Sequence, residues 1–392
     1  MTQLLFYASL AIVAYTYIGY PIVLFLLVRI KRMNNKKSLP LYDFDEMPRL
    51  SLIVPCYNEE DIIEDKIKNS LKLKYPESKL ELVFITDGST DATNSIIKNY
   101  PEIQLHFEPA RKGKNAAINR LIPQINTPVI VFCDANTMLN QEALIKIARH
   151  YKDPNTGSVA GEKRVKSSTD DAAGSGEGAY WKYESKLKQW DSELNSIVGA
   201  AGELFSIRTE LYEEVPEHVL IEDFRLSVNI AKKGYRVIYE PEAYATEQAS
   251  ASIEEESKRK VRISAGGLIE VAHFVGLLNF FKYGWLSFQY FSHRMLRWTL
   301  APLALLVILT TNIILAIEQP LGLFGLVLVL QLGFYVLGFL GHLLREKDIK
   351  IKGFFIPYYF LFMNFSVFQG FIRLLKGKQS AIWDKAKRAP VG

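Results

Sequence analysis

The sequence predicts an α/β fold with a doubly wound sheet, and it predicts membrane helices before and after that fold. Three observations support this prediction. Short apolar runs alternate with amphipathic stretches between residues 50 and 150, which is typical of strands and helices that pack in layers. Polar residues follow these apolar runs directly. Long stretches without charged residues lie towards both ends of the chain, outside the α/β region.

The composition is that of a folded chain with a large apolar core. The 392 residues allow about two domains, and a hydrophobic content of 49% excludes an intrinsically disordered protein. The two cysteines, Cys56 and Cys133, lie in apolar runs, so neither a disulfide-rich fold nor a cysteine-based zinc site is expected. The net charge of +5 is modest, and no nucleic-acid partner is expected.

Residues 1–39 are predicted to form a membrane helix and a basic linker. No charged residue occurs from Gln3 to Val28, and this length is enough to cross a hydrocarbon core of about 30 Å. Basic residues follow the apolar run instead of preceding it, at Arg29, Lys31, Arg32, Lys36 and Lys37. This order is typical of a signal anchor, and it predicts an external N-terminus and a cytoplasmic domain after the helix.

Residues 300–376 are predicted to form a second membrane region, followed by a tail at 377–392. Uncharged spans at 301–317 and 319–344 predict a helical hairpin with an external turn. The uncharged run at 353–372 has basic residues on both sides, so the positive-inside rule favours a segment lying in the interface. Its length and apolar character favour a fourth crossing, and both alternatives stay open.

Residues 251–299 combine lysine and arginine with aromatic residues and leucine. This mixture is typical of amphipathic helices that lie on the inner membrane leaflet, in contact with lipid. An ordinary pair of surface helices is the alternative interpretation.

Residues 40–250 are predicted to form a cytoplasmic α/β domain. Strands are predicted at Leu50–Pro55, Leu80–Thr86 and Pro128–Cys133. Helices are predicted at Glu59–Leu71, Asp91–Lys98, Lys114–Leu121 and Gln141–Tyr151. In a doubly wound parallel sheet, ligands bind at the carboxyl ends of the strands, so the residues that follow each strand are the candidate site.

Polar clusters follow the three predicted strands. They read Cys56-Tyr57-Asn58-Glu59-Glu60, Asp87-Gly88-Ser89-Thr90-Asp91 and Asp134-Ala135-Asn136. Helix capping or a tight turn explains any one of them, but three clusters at neighbouring strand ends predict a ligand site. One acidic side chain there can accept from a ribose hydroxyl or a base imide. Another can hold Mg²⁺ or Mn²⁺ against a diphosphate, because both ions prefer oxygen ligands.

Two common nucleotide-binding motifs are absent from the sequence. No Gly-x-Gly-x-x-Gly follows a strand, so no nicotinamide dinucleotide site is expected, and no P-loop motif occurs. The stretch Arg111-Lys112-Gly113-Lys114-Asn115 opens a predicted helix and can place cations and backbone N–H groups near a phosphate. A solvated basic loop is the alternative.

These clusters together resemble the membrane-bound family 2 glycosyltransferases, which have the GT-A fold and include cellulose, hyaluronan and poly-N-acetylglucosamine synthases. The resemblance extends over roughly residues 50–265 and rests on the order and spacing of the motifs. It implies a metal site at Asp134 and Asn136 and catalytic roles for Asp223, Glu222 and Arg262, with Asp223 as the base. It implies substrate contacts from Pro55, Tyr57, Asn58, Glu59, Asp87, Lys114, Gly202 and Arg259, with Asp87 on the nucleotide base.

The sequence departs from the family pattern in two places. The metal motif ends in Asn136 where the family usually has Asp, which removes one negative charge. The Gln-x-x-Arg-Trp motif of processive synthases is represented by Arg259, Arg262 and Ile263, so the arginine is kept and the tryptophan is lost. The small-residue stretch Gly199–Glu203 resembles the segment that lines the acceptor side in this family.

The resemblance implies an inverting glycosyltransferase that uses a nucleotide sugar and a Mg²⁺ or Mn²⁺ cofactor. The expected nucleotide is UDP. The expected acceptor is a glycan or a lipid-linked glycan at the cytoplasmic face of the cell membrane. A processive polysaccharide synthase is one alternative, and a non-catalytic membrane scaffold with a nucleotide-sugar fold is another. An oligomer or an export partner is a further possibility that the resemblance leaves open.

Overall fold

The structure is a computed structural model that describes residues 1–34, 44–166, 176–248, 252–346 and 352–377. The chain divides into two compact units. Within the described residues, the unit that we call the sheet unit contains 32–34, 44–166, 191–248 and 252. The unit that we call the helical unit contains 1–31, 176–190, 253–346 and 352–377. Residues 378–392 of the predicted tail at 377–392, the basic residues Lys36 and Lys37, and residues 167–175 lie outside the described residues.

The sheet unit contains one eight-stranded sheet. Its strands are β1 (Leu50–Cys56), β2 (Leu80–Asp87), β3 (Ile103–Glu108), β4 (Val129–Cys133), β5 (Thr137–Leu139), β6 (Thr156–Lys166), β7 (Leu204–Arg208) and β8 (Arg236–Gln248). Their order in the sheet is β3-β2-β1-β4-β7-β6-β8-β5.

The α-helices of the described chain are, in order, α1 (Thr2–Ala14), α2 (Tyr20–Asn34), α3 (Ile63–Leu71), α4 (Thr93–Lys98), α5 (Lys114–Leu121), α6 (Ala143–Ala148), α7 (Gly176–Leu194), α8 (Glu222–Lys232), α9 (Ile253–His273), α10 (Phe280–Tyr283), α11 (Trp285–Gln289), α12 (Leu296–Trp298), α13 (Leu300–Glu318), α14 (Leu323–Glu346) and α15 (Lys352–Leu375). Segments of π-helix lie at Tyr15–Gly19 and Tyr290–Met295. Short 3₁₀ turns lie at Glu77–Lys79, Ile122–Gln124, Arg149–Lys152, Thr209–Leu211 and Val275–Leu278.

The three predicted strands are confirmed as β1, β2 and β4, and they pair in parallel as expected. Every residue of β4 is buried, as its unbroken apolar run predicts. Strand β3 was not predicted. It pairs in parallel with β2 at the sheet edge and is only partly buried. Its sequence lacks the continuous apolar run that marks the central strands, because Gln104 and His106 interrupt it.

The predicted parallel pairing holds for β1, β2 and β4, but it does not extend to the second half of the sheet. Strand β7 runs antiparallel to both β4 and β6, and β5 runs antiparallel to β8, whereas β6 and β8 are parallel. The sheet is therefore mixed. A hydrophobic run shows that a strand is buried, but the run contains no information on the direction in which its neighbour pairs.

The helices of the sheet unit begin later than predicted in three places. Helix α6 begins at Ala143 instead of Gln141. Helix α3 begins at Ile63 instead of Glu59, and α4 begins at Thr93 instead of Asp91. The residues before both helices form linked turns, because the Glu59 N–H donates to Thr93 Oγ1 at 2.8 Å and the Glu60 N–H donates to Asp91 Oδ2 at 3.2 Å. Helix α5 has the predicted bounds.

Four segments of the described chain are long and apolar enough to cross a membrane, at Thr2–Met33, Leu300–Glu318, Leu323–Arg345 and Gly353–Leu375. The predicted hairpin corresponds to α13 and α14, and the uncharged run at 353–372 lies in α15. These helices suit the predicted crossings by length and composition, and the crossings themselves stay a prediction.

The first apolar segment contains the π-helical stretch Tyr15–Gly19 just before Pro21. Pro21 has no N–H to donate to the carbonyl of Tyr17 four residues earlier. The Tyr183 hydroxyl donates to that carbonyl at 2.9 Å, so α7 satisfies the acceptor that the proline leaves.

The region predicted to hold amphipathic helices is helical from α9 to α12. Its middle exposes large apolar side chains at Val275, Phe280, Phe281 and Trp285. Exposed aromatic residues next to Lys282 suit a membrane interface, and contact with lipid stays a prediction for this region.

Candidate active site

The candidate site lies at the carboxyl ends of β1, β2 and β4. Strand β1 is paired with β2 on one side and with β4 on the other, so the three polar clusters that follow these strands are neighbours. The sheet order therefore confirms the juxtaposition on which the sequence prediction depended.

Asn58 connects the loops that follow β1 and β2. Its backbone has a φ of 51°, in the left-handed region that asparagine tolerates better than most residues. Its N–H donates to Ser89 Oγ at 3.1 Å, and its Oδ1 accepts from the Thr90 N–H at 2.8 Å. Asn58 thus holds two of the three loops together, and the adjacent Glu59 adds its backbone bond to Thr93.

Asp87, at the end of β2, holds the basic loop in place. Its Oδ2 accepts from the backbone N–H groups of Lys112 at 2.8 Å and Gly113 at 2.5 Å, and its Oδ1 accepts from Arg120 Nη2 at 3.0 Å. The residue is only 5% exposed. The basic loop is therefore anchored to the sheet, which argues against the alternative of a solvated loop.

Arg111, the first residue of the basic loop, forms a flat surface together with Tyr57. The Arg111 guanidinium lies 3.7 Å from the centre of the Tyr57 ring, in cation–π contact. Gly88 permits this approach, because its φ is +69° and a methyl carbon on it would lie 2.9 Å from the Arg111 Cα. Pro55 lies two residues before Tyr57, at the partly buried end of β1.

Lys114, the first residue of α5, lies between two carboxylates. Its Nζ is 2.7 Å from Asp134 Oδ1 and 2.7 Å from Glu222 Oε1. Burial disfavours the ammonium form, but the two carboxylates outweigh burial and raise the pKa of Lys114 above its usual range. The lysine remains charged at neutral pH, and it links the predicted metal ligand to the predicted acidic pair.

Asp223 is in the first turn of α8, next to Glu222. Burial and the negative charge of Glu222 raise the pKa of Asp223 to about 7, although its Oδ1 accepts from the Phe224 N–H at 2.8 Å. Near neutral pH this carboxyl is therefore divided between its protonated and ionised forms. A carboxyl group in that state can accept a proton during a reaction and release it afterwards.

The small-residue stretch Gly199–Glu203 packs against the start of α8. Gly199 has a φ of +90°, and a methyl carbon on it would lie 2.2 Å from the Phe224 ring. The Ala200 N–H donates to Ser227 Oγ at 2.9 Å. A methyl carbon on Gly202 would lie 3.4 Å from Asp223 Oδ2, so this glycine is directly beside the candidate base. A glycine is required at position 199 for packing against the helix.

Helix α5, which carries Lys114, also holds the chain segment that leads into α8. Asn115 donates to the Val219 carbonyl at 2.9 Å, and Asn119 donates to the Val215 carbonyl at 2.9 Å. The chain before Glu222 is thus bound to α5 at two points. The contact between Lys114 and Glu222 therefore joins two elements that are already held together.

Asp134 and Asn136 lie at the end of β4, and both are partly buried. Within the residues that the structure describes, no group of three or more His, Cys, Asp or Glu side chains is arranged to hold a metal ion. The oxygen donors of these two residues still fit a hard divalent cation if a bound diphosphate supplies further oxygen ligands. Lys114 already contacts Asp134, so the site holds a positive charge without a metal.

Arg259 and Arg262 lie on α9 of the helical unit, whereas the other predicted site residues lie in the sheet unit. Two contributors within the sheet unit were outside the predicted set. The sequence indicates Arg111 only as part of the basic loop. Arg120, which binds Asp87, lies in an ordinary helical pattern without a motif of its own.

Comparison with known proteins agrees with the resemblance based on the motifs. Residues 51–216 match the family model described as Glycosyl transferase family 2. The chain is 28% identical over 256 residues to poly-beta-1,6-N-acetyl-D-glucosamine synthase of Staphylococcus aureus (strain MSSA476), an alignment that covers 63% of this chain and 60% of that protein. It is 26% identical over 268 residues to the probable glycosyltransferase YdaM of Bacillus subtilis (strain 168), covering 64% of this chain and 62% of that protein. The chain thus matches less than two thirds of the length of these curated relatives.

The fold is shared with a solved structure, that of mannosyltransferase PcManGT from Pyrobaculum calidifontis in complex with GDP-Man and Mn2+. The TM-score is 0.70 and the sequence identity is 22%, with 95% of this chain and 99% of that chain covered. At this identity the likeness concerns the fold, and it confirms the predicted α/β fold of GT-A type with flanking apolar helices. The resemblance that the motifs predicted is confirmed for residues 51–216, which match the Glycosyl transferase family 2 model.

Proposed function

We propose that this protein is an inverting glycosyltransferase that moves a sugar from a nucleotide sugar to a glycan or lipid-linked acceptor at a membrane. The observation that carries this proposal is the placement of Asp223. Its carboxyl group has a pKa raised to about 7, and it lies in one cluster with Glu222, Lys114 and Asp134. The family 2 domain supports the same assignment.

In this proposal Asp223 is the general base. It accepts the proton of the acceptor hydroxyl while that oxygen attacks the anomeric carbon from the face opposite the nucleotide. A single displacement of this kind inverts the anomeric configuration. Gly202 leaves room beside the carboxylate, since no side chain stands between its Cα and Asp223.

Negative charge develops on the leaving diphosphate during this step, and Lys114 is the residue of the sheet unit that would offset it. Asp134 and Asn136 would hold Mg²⁺ or Mn²⁺, and the ion would supply further positive charge against the diphosphate. Asp87 and the Tyr57–Arg111 surface would receive the nucleoside, with Asn58 and Glu59 fixing the loops around it. Arg259 and Arg262 are proposed to act on the diphosphate, as the family resemblance implies.

The donor is proposed to be a UDP sugar. The relatives named as poly-beta-1,6-N-acetyl-D-glucosamine synthases support an N-acetylhexosamine donor, whereas the structural neighbour holds GDP-Man. The assay therefore begins with UDP-N-acetylglucosamine, UDP-glucose and GDP-mannose, and it measures release of the nucleoside diphosphate by the full chain in detergent.

The decisive variant is Asp223→Asn. Loss of a general base lowers transfer by about 10²–10⁴-fold, while binding of the donor is retained because Asp223 is proposed to contact the acceptor. Asp65→Asn, an exposed change on α3, is the matched control and retains full activity. Turnover by Asp223→Asn at the wild-type rate would show that Asp223 is not the base.

Metal dependence is tested separately. Chelation with EDTA is expected to abolish transfer, and Asn136→Asp is expected to lower the Mn²⁺ concentration needed for half activity, because a second carboxylate strengthens the site. Full activity in EDTA would contradict the metal assignment. It would also indicate that Lys114 and the proposed arginines offset the diphosphate charge without a metal.

A processive polysaccharide synthase is the second candidate, and the names of the relatives favour it. Ile263 favours the first candidate, because it has no ring on which a growing glycan could stack. Sizing the product under excess donor distinguishes the two, since long chains that form while most acceptor is unused indicate processivity. A non-catalytic scaffold would release no nucleotide with any donor. Of these candidates, the processive enzyme has the greatest need of an oligomer or an export partner.

A further inference from the structure

Glu203, the last residue of the small-residue stretch, belongs to a buried charged triad in the sheet unit. Lys163 of β6 contacts Glu203 Oε1 through its Nζ at 2.6 Å, and it also contacts Glu247 of β8. The three residues are 8%, 7% and 4% exposed, respectively. One ammonium group thus faces two carboxylates, and the triad carries an excess of negative charge when all three groups are ionised.

Glu203 is the residue of the triad that lies next in the chain to the contact with the candidate base, Asp223. Glu203 directly follows Gly202, whose Cα faces the Asp223 carboxylate. The backbone carbonyl of Glu203 also accepts from the Thr137 hydroxyl at 3.4 Å, next to the turn that contains Asp134. Glu203 is therefore held from two sides, by Lys163 through its carboxylate and by Thr137 through its backbone.

The charged groups that act on Asp223 come from three elements. Glu222 precedes it on α8, Lys114 of α5 is paired with Glu222, and Glu203 lies on the stretch before β7. Glu222 and Glu203 disfavour the ionised form of Asp223, and Lys114 favours it. Glu222 is itself paired with Lys114, so part of its charge is already offset.

We propose that Glu203 is a positioning residue for the transfer reaction, held by Lys163 so that it fixes Gly202 against α8 and places a negative charge behind Asp223. The inference rests on the proposed role of Asp223 as general base. In this arrangement Lys163 does not contact the reacting atoms. It keeps the Glu203 carboxylate buried and ionised, and Glu203 in turn makes Asp223 a better acceptor for a proton.

The test compares two isosteric variants that each remove one carboxylate from Lys163. Glu203→Gln removes the charge behind Asp223, whereas Glu247→Gln removes the charge on β8 and leaves Glu203 in place. Both variants lose one buried ion pair, so both are expected to unfold at a lower temperature than the wild type. A purely structural role for the triad would affect the two variants alike.

The measurement that separates the two roles is the pH dependence of kcat/KM, followed by release of UDP from UDP-N-acetylglucosamine or GDP from GDP-mannose. For Glu203→Gln, the acidic limb is expected to move to lower pH by about half a unit to one unit, because removal of a nearby negative charge favours ionised Asp223. For Glu247→Gln, the acidic limb is expected to stay where it is in the wild type. An unmoved limb in Glu203→Gln, or an equal movement in both variants, would overturn the proposal.

A second variant keeps the test decisive if Glu203→Gln does not fold. Glu203→Asp retains the charge and shortens the side chain by one methylene group, so its acidic limb is expected to stay within a few tenths of a unit of the wild type. Its kcat is expected to fall, because Gly202 is no longer held in the same place. Unchanged kcat in Glu203→Asp would overturn the positioning role.

The proposed function can fail independently of this inference. Activity in Asp223→Asn would show that Asp223 is not the base, whatever the Glu203 variants do. An inactive Asp223→Asn together with an unmoved limb in Glu203→Gln would overturn only the role of Glu203.

Discussion

At the residue scale, the protein holds a carboxyl group where its ionised form is disfavoured. Burial and Glu222 raise the pKa of Asp223 to about 7, whereas an aspartate in the unfolded chain has a pKa of about 4. Between these two values the folded protein binds the proton more tightly than the unfolded chain does. This contribution to stability is present at low pH and is lost as the pH rises through about 7. The candidate base therefore costs stability at the pH at which it can act.

Asp223→Asn is expected to raise the melting temperature at pH 8, because the amide removes a carboxylate that is disfavoured in the folded state. The gain is expected to be smaller at pH 5, where Asp223 in the folded protein is already protonated. Thermal unfolding of the purified chain in detergent at both pH values measures the difference. Asp65→Asn, which changes an exposed aspartate, is the control and should show no such dependence on pH. A gain of equal size at pH 5 and pH 8 would contradict the prediction.

At the element scale, the site consists of loops that are held together by hydrogen bonds between them. The loop after β1 is joined to the loop after β2 through Asn58, and Asp87 joins the end of β2 to the basic loop. The backbone of Arg111 comes close to Gly88, since a methyl carbon on this glycine would lie 2.9 Å from the Arg111 Cα. A change at this glycine should therefore affect folding and donor binding together.

Gly88→Ala and Gly234→Ala form a matched pair that tests this packing. Both glycines have positive φ, at +69° and +96°, but Gly88 faces the Arg111 backbone whereas Gly234 has nothing within 4 Å of its missing Cβ. We expect Gly234→Ala to cost about 1 kcal/mol from backbone strain alone. We expect Gly88→Ala to cost about 1–3 kcal/mol more, since Arg111 has to move.

Thermal or denaturant unfolding gives the stability difference between these variants, and a titration with UDP-N-acetylglucosamine or GDP-mannose gives donor binding. Donor affinity is expected to fall in Gly88→Ala and to remain at the wild-type value in Gly234→Ala. Equal destabilisation of the two variants would show that contact with Arg111 is not what limits residue 88.

At the scale of the whole molecule, the described part of the chain combines a sheet unit with four apolar segments that suit a membrane. The basic residues Arg29, Lys31 and Arg32 follow the first segment, and they predict that the sheet unit is cytoplasmic. The same rule places the turn at Glu318 outside. A wrong orientation of the first segment would reverse both assignments.

Cysteine labelling in intact cells tests this topology. Gln3→Cys and Glu318→Cys are expected to react with an impermeant thiol reagent, whereas Lys112→Cys is expected to react only after the cells are permeabilised. The native Cys56 and Cys133 are buried, so they should contribute little background. Labelling of Lys112→Cys in intact cells would show that the sheet unit is external.

The sequence by itself determined the features that depend on neighbouring residues. The strands β1, β2 and β4 follow from continuous apolar runs, and α5 follows from its periodicity. The acidic residues Asp87 and Asp134 follow from their positions at the ends of β2 and β4. These patterns are local, because burial of a strand and the pitch of a helix act on residues that are close in the chain.

The tertiary structure alone decided which distant groups meet. Lys114 lies between Asp134 and Glu222, and Lys163 lies between Glu203 and Glu247, because the sheet order brings separate strands and helices to one place. The antiparallel direction of β7 was decided in the same way. Pairing direction and long-range contact depend on how whole elements pack, and packing energy is shared among many residues that no local pattern identifies.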